Sequence, residues 1–360
     1  MNEQSAEKAP AALGSTAHVW HEFADIEDEW EALAERADGV PFARPGWYRA
    51  WWNAFSRGGL EIVGVRSGER LVGVLPMERR SGVLATLTND HTPAFGLLAE
   101  DRAAAVDLME AALARGGRRA TFVFLEDHDL DAAREALART GRRAIVADPP
   151  FEASPYVELS GTHDEFMAGL NGKVRSEIRR RWRKLDKEGE VEVDVRDGSE
   201  DLDALLAEGF AIEPSGWKAE QGTAITSSPV TERFYTEVAR WAADKGLLRL
   251  VFLRVDGKGI AFKFGIESGG AFYSLKSGFD VDARKLAPQK VLNDAMIRRG
   301  YETGLSSFEF LGNADSWKRD WTSTLRERHL VHTFGPVTGI PEWLAVRFGP
   351  RRITMGLAYR

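Results

Sequence analysis

The segment from Leu247 to Asp320 constrains the fold more than any other part of the chain. It opens with LRLVFLRVDGKGIAFKFGIESGGAFYSLKSGFD, a run that reads as a strand pair followed by a third strand. A short polar turn leads into the helix APQKVLNDAMIRRGYETG. A further strand, SSFEFLG, comes before the string SWKRDW. This order sets the start of the helix at the ends of the strands. The free N–H groups there, with the positive end of the helix dipole, suit a phosphate-bearing ligand.

The totals narrow the class. A chain of 360 residues has room for two domains of ordinary size. Hydrophobic residues make up 43% and charged residues 29%, the balance of a globular protein. The net charge of −7 disfavours a general charge-driven nucleic-acid binder, so no DNA partner is expected. Cysteine is absent, which excludes disulfides, a thiolate nucleophile and cysteine-ligated zinc, and no metal centre is expected. The first residues, MNEQSAEKAPAALGST, are polar and lack an apolar signal core, and no run of about 18 apolar residues occurs. A cytoplasmic enzyme without a membrane span is the expectation.

Residues 1–16 read as a disordered tail. The spacing predicts a helix over 25–37 with Trp30, Leu33 and Ala34 on one face. A loop over 41–55 runs into a second helix whose Trp47, Trp51 and Phe55 read as core. Strands follow at 61–80, joined by a turn at Ser67-Gly68, and at 84–90. A helix at 103–115, a buried strand at 119–126 and a helix ending at Gly141 complete the first half. Three prolines interrupt the pattern over 149–162, which reads as the boundary between a domain at 17–150 and one at 151–335, with an extension at 336–360. The second half has a basic helix at 173–184, a strand EVEVDV, and an amphipathic helix at 230–246 with Phe234, Val238 and Trp241 on one face. The hairpins EIVGVRSGERLVGVLPMERR and RLVFLRVDGKGIAFKFGI read alike, which suggests a duplication.

Several strings fall in a familiar order: PGWYRAWWNAF, LVGVLPM and LTNDHTPAFGLL, then KVRSEIRRRWRKLDKEGEV, SGWKAEQGTAI, RFYTEVARWAADKGLLRLVFL and LGNADSWKRDW. Over about residues 40–330 they resemble a GNAT-superfamily acyltransferase of the double-domain kind. That group includes acetyltransferases associated with cellulose and exopolysaccharide biosynthesis, and the Fem-type peptidoglycan aminoacyltransferases. The resemblance implies an α/β (α+β) protein of two tandem GNAT-like domains. Each would be a mixed, mostly antiparallel sheet flanked by helices, with the site in the cleft between them. It also implies transfer of an acyl group from acyl-CoA to the amine of a small polar acceptor by direct attack. Two alternatives stay open: an aminoacyl-tRNA donor, as in Fem-type enzymes, and a non-catalytic double domain that binds a nucleotide sugar or a partner protein.

The candidate residues follow from these readings. Arg284, Lys285, Gln289 and Lys290 surround the helix start at Pro288 and are the candidates for the phosphates of acyl-CoA, although the family usually has glycine where Gln289 stands. Lys318 follows a strand end, and a lysine in a similar aromatic context lies near the acyl-transfer centre of Fem-type relatives. Its ammonium suits a developing oxyanion, the ordinary alternative being a surface lysine packed on Trp317 or Trp321. Asp280 and Glu213 both qualify as the base, or equally as residues that cap a turn or a helix. Asn89 and His91 lie in LTNDHTPAFG, Trp217 and Lys218 in SGWKAEQGTAI, and Lys276 on the strand before Asp280. All five are candidates for contact with the acceptor. On the basic helix, Arg175 and Arg179 share a face with Arg183 and suit a phosphate-bearing substrate or a tRNA acceptor stem, while Val174, Ile178, Trp182 and Leu185 account for its packing.

Overall fold

The computed structural model describes residues 15–335 apart from 38, 148 and 214–223, together with 339–340 and 343–344. In chain order, the first half contains β1 (Thr16–Trp20), α1 (Glu27–Arg36), α2 (Pro45–Phe55), β2 (Gly59–Ser67), β3 (Arg70–Arg80), β4 (Val83–Thr86), β5 (Leu98–Ala99), α3 (Arg102–Arg115), β6 (Arg119–Leu125), α4 (Asp127–Thr140) and β7 (Arg143–Val146). The second contains β8 (Glu152–Glu158), α5 (His163–Gly169), α6 (Gly172–Leu185), β9 (Val191–Arg196), α7 (Leu202–Ile212), α8 (Pro229–Asp244), β10 (Leu248–Val255), β11 (Lys258–Ser268), β12 (Ala271–Phe279), α9 (Pro288–Thr303), β13 (Ser307–Glu309), α10 (Ser316–Arg319) and β14 (Leu325–Phe334).

All the strands join one mixed sheet, in the order β1-β2-β3-β4-β6-β14-β8-β13-β12-β11-β10-β9, with β5 against β3 and β7 against β14. Its two arms repeat one plan. On one side β2, β3 and β4 run antiparallel, and β4 pairs in parallel with β6 after the excursion through α3. On the other, β10, β11 and β12 run antiparallel, and β12 pairs in parallel with β13 after α9. This is the expected α/β arrangement of two GNAT-like halves, and the two hairpins that read alike occupy matching places in it.

The middle of the sheet holds two strands that the sequence pattern does not announce. The proline-rich stretch over 149–162 carries β8, a central strand paired with β13 on one side and β14 on the other. Pro155 is tolerated there because its carbonyl still accepts the Phe310 N–H at 3.1 Å, while Tyr156 N–H reaches Thr324 O at 3.2 Å. β14 completes the join: Leu325–Arg328 pair with β8, and the strand then bends at a bulge near His329 to pair with β6 and β7.

The halves also pack helix on helix. Trp47 on α2 meets Phe234 on α8 edge to face at 5.3 Å between ring centres, and Phe42 meets Tyr273 of β12 at 5.2 Å. Gly46, in the first turn of α2, lies so close to Trp241 that a Cβ there would overlap the indole. Gly46→Ala should therefore destabilise the protein by about 1–3 kcal/mol, seen as a lower urea midpoint, because the added methyl must displace a buried indole. A midpoint equal to wild type would show the two helices to be loosely joined. Among the described residues, no helix is long and apolar enough to cross a membrane.

Candidate active site

Both parallel pairs are short. β12 and β13 pair only over Ala271–Tyr273 and Ser307–Glu309. Beyond that, β12 continues to Phe279 while the other chain turns away at Leu311, whose φ of 58° is left-handed. β4 and β6 part in the same way after Ala85 and Thr121, where the Thr86 hydroxyl accepts the Val123 N–H at 3.2 Å. A cavity of about 470 Å³ takes its walls from both openings: Asn89–Pro93 and Phe124 from the first half, Ser274–Ser277 and Phe310–Asn313 from the second, with Glu152, Tyr235, Trp317 and Lys318. Four of the residues singled out in the sequence, Asn89, His91, Lys276 and Lys318, thus meet in one place.

Lys318 is held firmly. It sits on the one-turn helix α10 and is 7% exposed. Its Nζ donates to Leu311 O at 2.8 Å and Asn313 O at 2.7 Å, and pairs with the half-exposed Asp315 at 3.2 Å. The ammonium also lies 5.4 Å from the centre of the Trp317 ring. The lysine therefore ties down the turn at Leu311 and fixes a positive charge where the strands part.

His91 stacks on Phe55 with ring centres 5.5 Å apart, and its Nε2 lies 3.5 Å from Thr231 Oγ1. Its Nδ1 is buried and has no hydrogen-bond partner among the described residues. Burial, then the nearby Lys276 charge, pushes its pKa down to about 4, so the ring is neutral at pH 7. Asn89 shapes the loop: its Oδ1 accepts the His91 N–H at 2.9 Å and the Thr92 hydroxyl at 3.3 Å. Lys276 Nζ stands 5.4 Å from the centre of the Tyr235 ring. The Tyr235 phenol is pushed well up by burial and then by the charge of Glu213.

The other candidates lie elsewhere. Asp280 accepts the Asp282 N–H at 3.0 Å and pairs with Lys258 at 2.9 Å, and that lysine holds its carboxyl below the usual range. Glu213 is fully buried behind the cavity wall, where it accepts the Ile225 N–H at 2.9 Å. Arg284 and Lys285 are exposed in the turn before α9. Gln289 donates to Phe262 O at 3.1 Å and to Gly278 O, which anchors the first turn of α9 to β11 and β12. Lys290 pairs with Asp320 at 3.0 Å. Arg175 closes the end of α5 by donating to Ala168 O at 2.7 Å. Arg179 lines a separate open groove with Trp182, Arg183 and Arg298. Trp217 and Lys218 lie outside the described residues.

Glu152, on β8, and Arg328, on β14, were not anticipated. Glu152 lines the cavity, and Arg328 Nη1 donates to its Oε1 at 2.9 Å. The one sequence signal is the apolar content of EASPYVE, broken by Pro155.

Comparison with known proteins gives the architecture its class. Residues 172–319 match the Acetyltransferase (GNAT) domain family. FemX is 12% identical, with 91% of this chain and 99% of that chain covered at a TM-score of 0.61. L-PGS from Bacillus licheniformis is 13% identical, covering 92% and 97% at 0.58. The C-terminal domain of a putative lysylphosphatidylglycerol synthetase from Agrobacterium fabrum is 13% identical, covering 92% and 99% at 0.56. No curated protein matches the sequence. The fold is the one seen in FemX, in L-PGS and in the putative lysylphosphatidylglycerol synthetase domain, and the GNAT match falls in its second half. The chain carries a GNAT acetyltransferase domain in its second half and is an acyltransferase of the GNAT type.

Proposed function

We propose that the protein moves an acyl group from acyl-CoA to a primary amine of a small polar acceptor, by direct attack within the cavity between the halves. The observation that carries this reading is the meeting of both strand openings at Lys318, with α9 beginning at the far end of β12. From Ser274 onward β12 has no partner strand on its β13 side among the described residues, which leaves a backbone edge for an amide-containing donor arm. At the other end of that edge, α9 starts at Ala287 without a side-chain cap, and Arg284 and Lys285 stand exposed beside it. These residues suit a pyrophosphate. As the amine nitrogen bonds to the carbonyl carbon, negative charge grows on the carbonyl oxygen. Lys318 stabilises it in a setting partly shielded from water, with Asp315 the partner that gives way. The C–S bond then breaks and the thiolate leaves.

Calorimetric titration with acetyl-CoA, with desulfo-CoA and AMP as controls, tests the donor. A Kd in the micromolar range, about −8 kcal/mol, is expected, weakened at least about tenfold in Lys285→Glu with Lys290→Glu. No binding of any CoA species would overturn the acyl-CoA donor. One feature favours a second reading, an aminoacyl-tRNA donor: the groove of about 640 Å³ on the outer face of α6 and α9, where Arg179, Arg183 and Arg298 gather beside Trp182. Loss of transfer after ribonuclease treatment would select it.

A further inference from the structure

Direct transfer to an amine needs a group to receive the proton, and the cavity offers few. Lys276 and Lys318 are cations. His91 is neutral but weakly basic, with its pKa near 4. Asp90 is exposed, and Asp315 is half exposed and paired with Lys318. Glu152 differs from both, since its side chain is only 10% exposed.

The surroundings of Glu152 are specific. It faces Arg328 directly across the β8–β14 pair. Arg328, itself 2% exposed at its side chain, donates from Nη1 to Glu152 Oε1 at 2.9 Å and reaches Glu126 from Nη2 at 3.4 Å. Glu152 Oε2 accepts no hydrogen bond from the described residues. Among the described residues the buried Arg328 Nε has no hydrogen-bond partner, so the pair is not a fully satisfied network. Burial pushes the Glu152 carboxyl up, and the charges of Arg328 and then Lys318 pull it partly back.

We propose that Glu152 is the general base of the transfer and that Arg328 is the residue that positions it. The proposal rests on the reading of this cavity as an acyl-transfer site. As the C–N bond forms, a proton on the amine passes to Glu152. The electron pair of the C–S bond leaves on sulfur, and the thiolate or solvent then takes the proton from Glu152, giving an amide and a free thiol. Arg328 on β14 and Lys318 on α10 act on the carboxylate directly, Glu126 acts through Arg328, and the other titratable groups that line the same cavity are Asp90 and His91 after β4, Tyr235 on α8, Lys276 on β12 and Asp315 before α10.

The test uses the whole chain, acetyl-CoA, and ethanolamine, glycine and glucosamine as probe acceptors. Because the chain has no cysteine, a thiol reagent reads only released CoA. Glu152→Gln is expected to lower kcat at least about 100-fold and to remove the acid limb of the pH–rate profile, with acetyl-CoA affinity within about twofold of wild type. Arg328→Met is expected to move that limb to higher pH, because a charge favouring the carboxylate is lost, and Arg328→Lys to move it less. A second readout needs neither turnover nor the arginine variants. Carboxyl-carbon NMR of glutamate-labelled protein, compared with Glu152→Gln, gives the titration of Glu152. It should lie above the ordinary glutamate value of about 4.3 and rise further in Lys318→Met. An ordinary value indifferent to Lys318 would overturn the proposal, as would full kcat and an intact acid limb in Glu152→Gln. Failure of acetyl-CoA to bind wild type would instead sink the choice of donor, with the Glu152 titration still measurable.

Discussion

Lys318→Met should lower turnover about 10²–10³-fold, the cost of removing one fixed donor to a developing oxyanion, or roughly 3–4 kcal/mol of transition-state stabilisation. The affinity for acetyl-CoA should stay within about threefold, because the ground-state carbonyl carries little charge for the ammonium to meet. A second effect accompanies the first. Lys318 supplies the donor to Leu311 O and Asn313 O, and Leu311 holds a left-handed backbone. The variant leaves those carbonyls without their donor, so thermal stability should fall by about 1–3 kcal/mol. Lys318→Arg separates the two effects. It keeps the charge and carbonyl donors, and so most of the stability, but a planar fork on a longer stem does not place a point charge at the same spot. Rate loss with stability restored would assign Lys318 to the chemistry. Unchanged turnover in Lys318→Met would reduce it to a brace for the Leu311 turn.

The parts that could be read from sequence share strong local signals. β10, β11 and β12 are rich in apolar and aromatic residues and are separated by glycine turns at Asp256-Gly257 and Gly269-Gly270. α9 announces itself by Pro288 at its start and by Gly304, left-handed at φ 73°, at its end. α6 shows its packing face through Val174, Ile178 and Leu185. For the same reason Asn89, His91, Lys276 and Lys318 were found one at a time, each beside a recognisable strand end. Their convergence was not legible, since it depends on β8 and β14 filling the middle of one sheet. Both strands are locally disguised. Pro155 breaks the pattern of β8, and charged residues open β14 in LRERHLVHTF, so that it reads as surface. Glu152 and Arg328 are 176 residues apart, and only that long-range pairing makes them neighbours. Glu213 and Asp280 are carboxylates beside the matching strings, yet periodicity does not reveal depth. One faces inward to an amide, and the other is taken up by Lys258 and its own turn.

At pH 8, Asp129→Asn should be more stable than wild type, whereas at about pH 4 the two should be close. Asp129 lies in the first turn of α4, beside a second cavity of about 550 Å³ walled by Phe42, Phe95 and Leu97. It is 2% exposed, and its Oδ2 accepts the Leu97 N–H at 3.2 Å. Burial pushes its pKa up to about 7. The neighbouring His128, 3.3 Å away but largely in solvent, and the Leu97 N–H offset this only in part. In the unfolded chain the same carboxyl titrates near 3.9. Between these values the native protein keeps a proton that the unfolded chain has lost, so stability falls as pH rises, by about 1.4 kcal/mol per unit for this one group. Its contribution is complete below about pH 4 and gone above about pH 7, a span of a few kcal/mol. Asparagine keeps an oxygen for the Leu97 N–H and has nothing to ionise, so its loss across that range should be smaller by this amount. Urea midpoints at about pH 4 and pH 8 measure the difference. Parallel curves for the two proteins would mean that the Asp129 carboxylate ionises without cost, and that water reaches it through the cavity it borders.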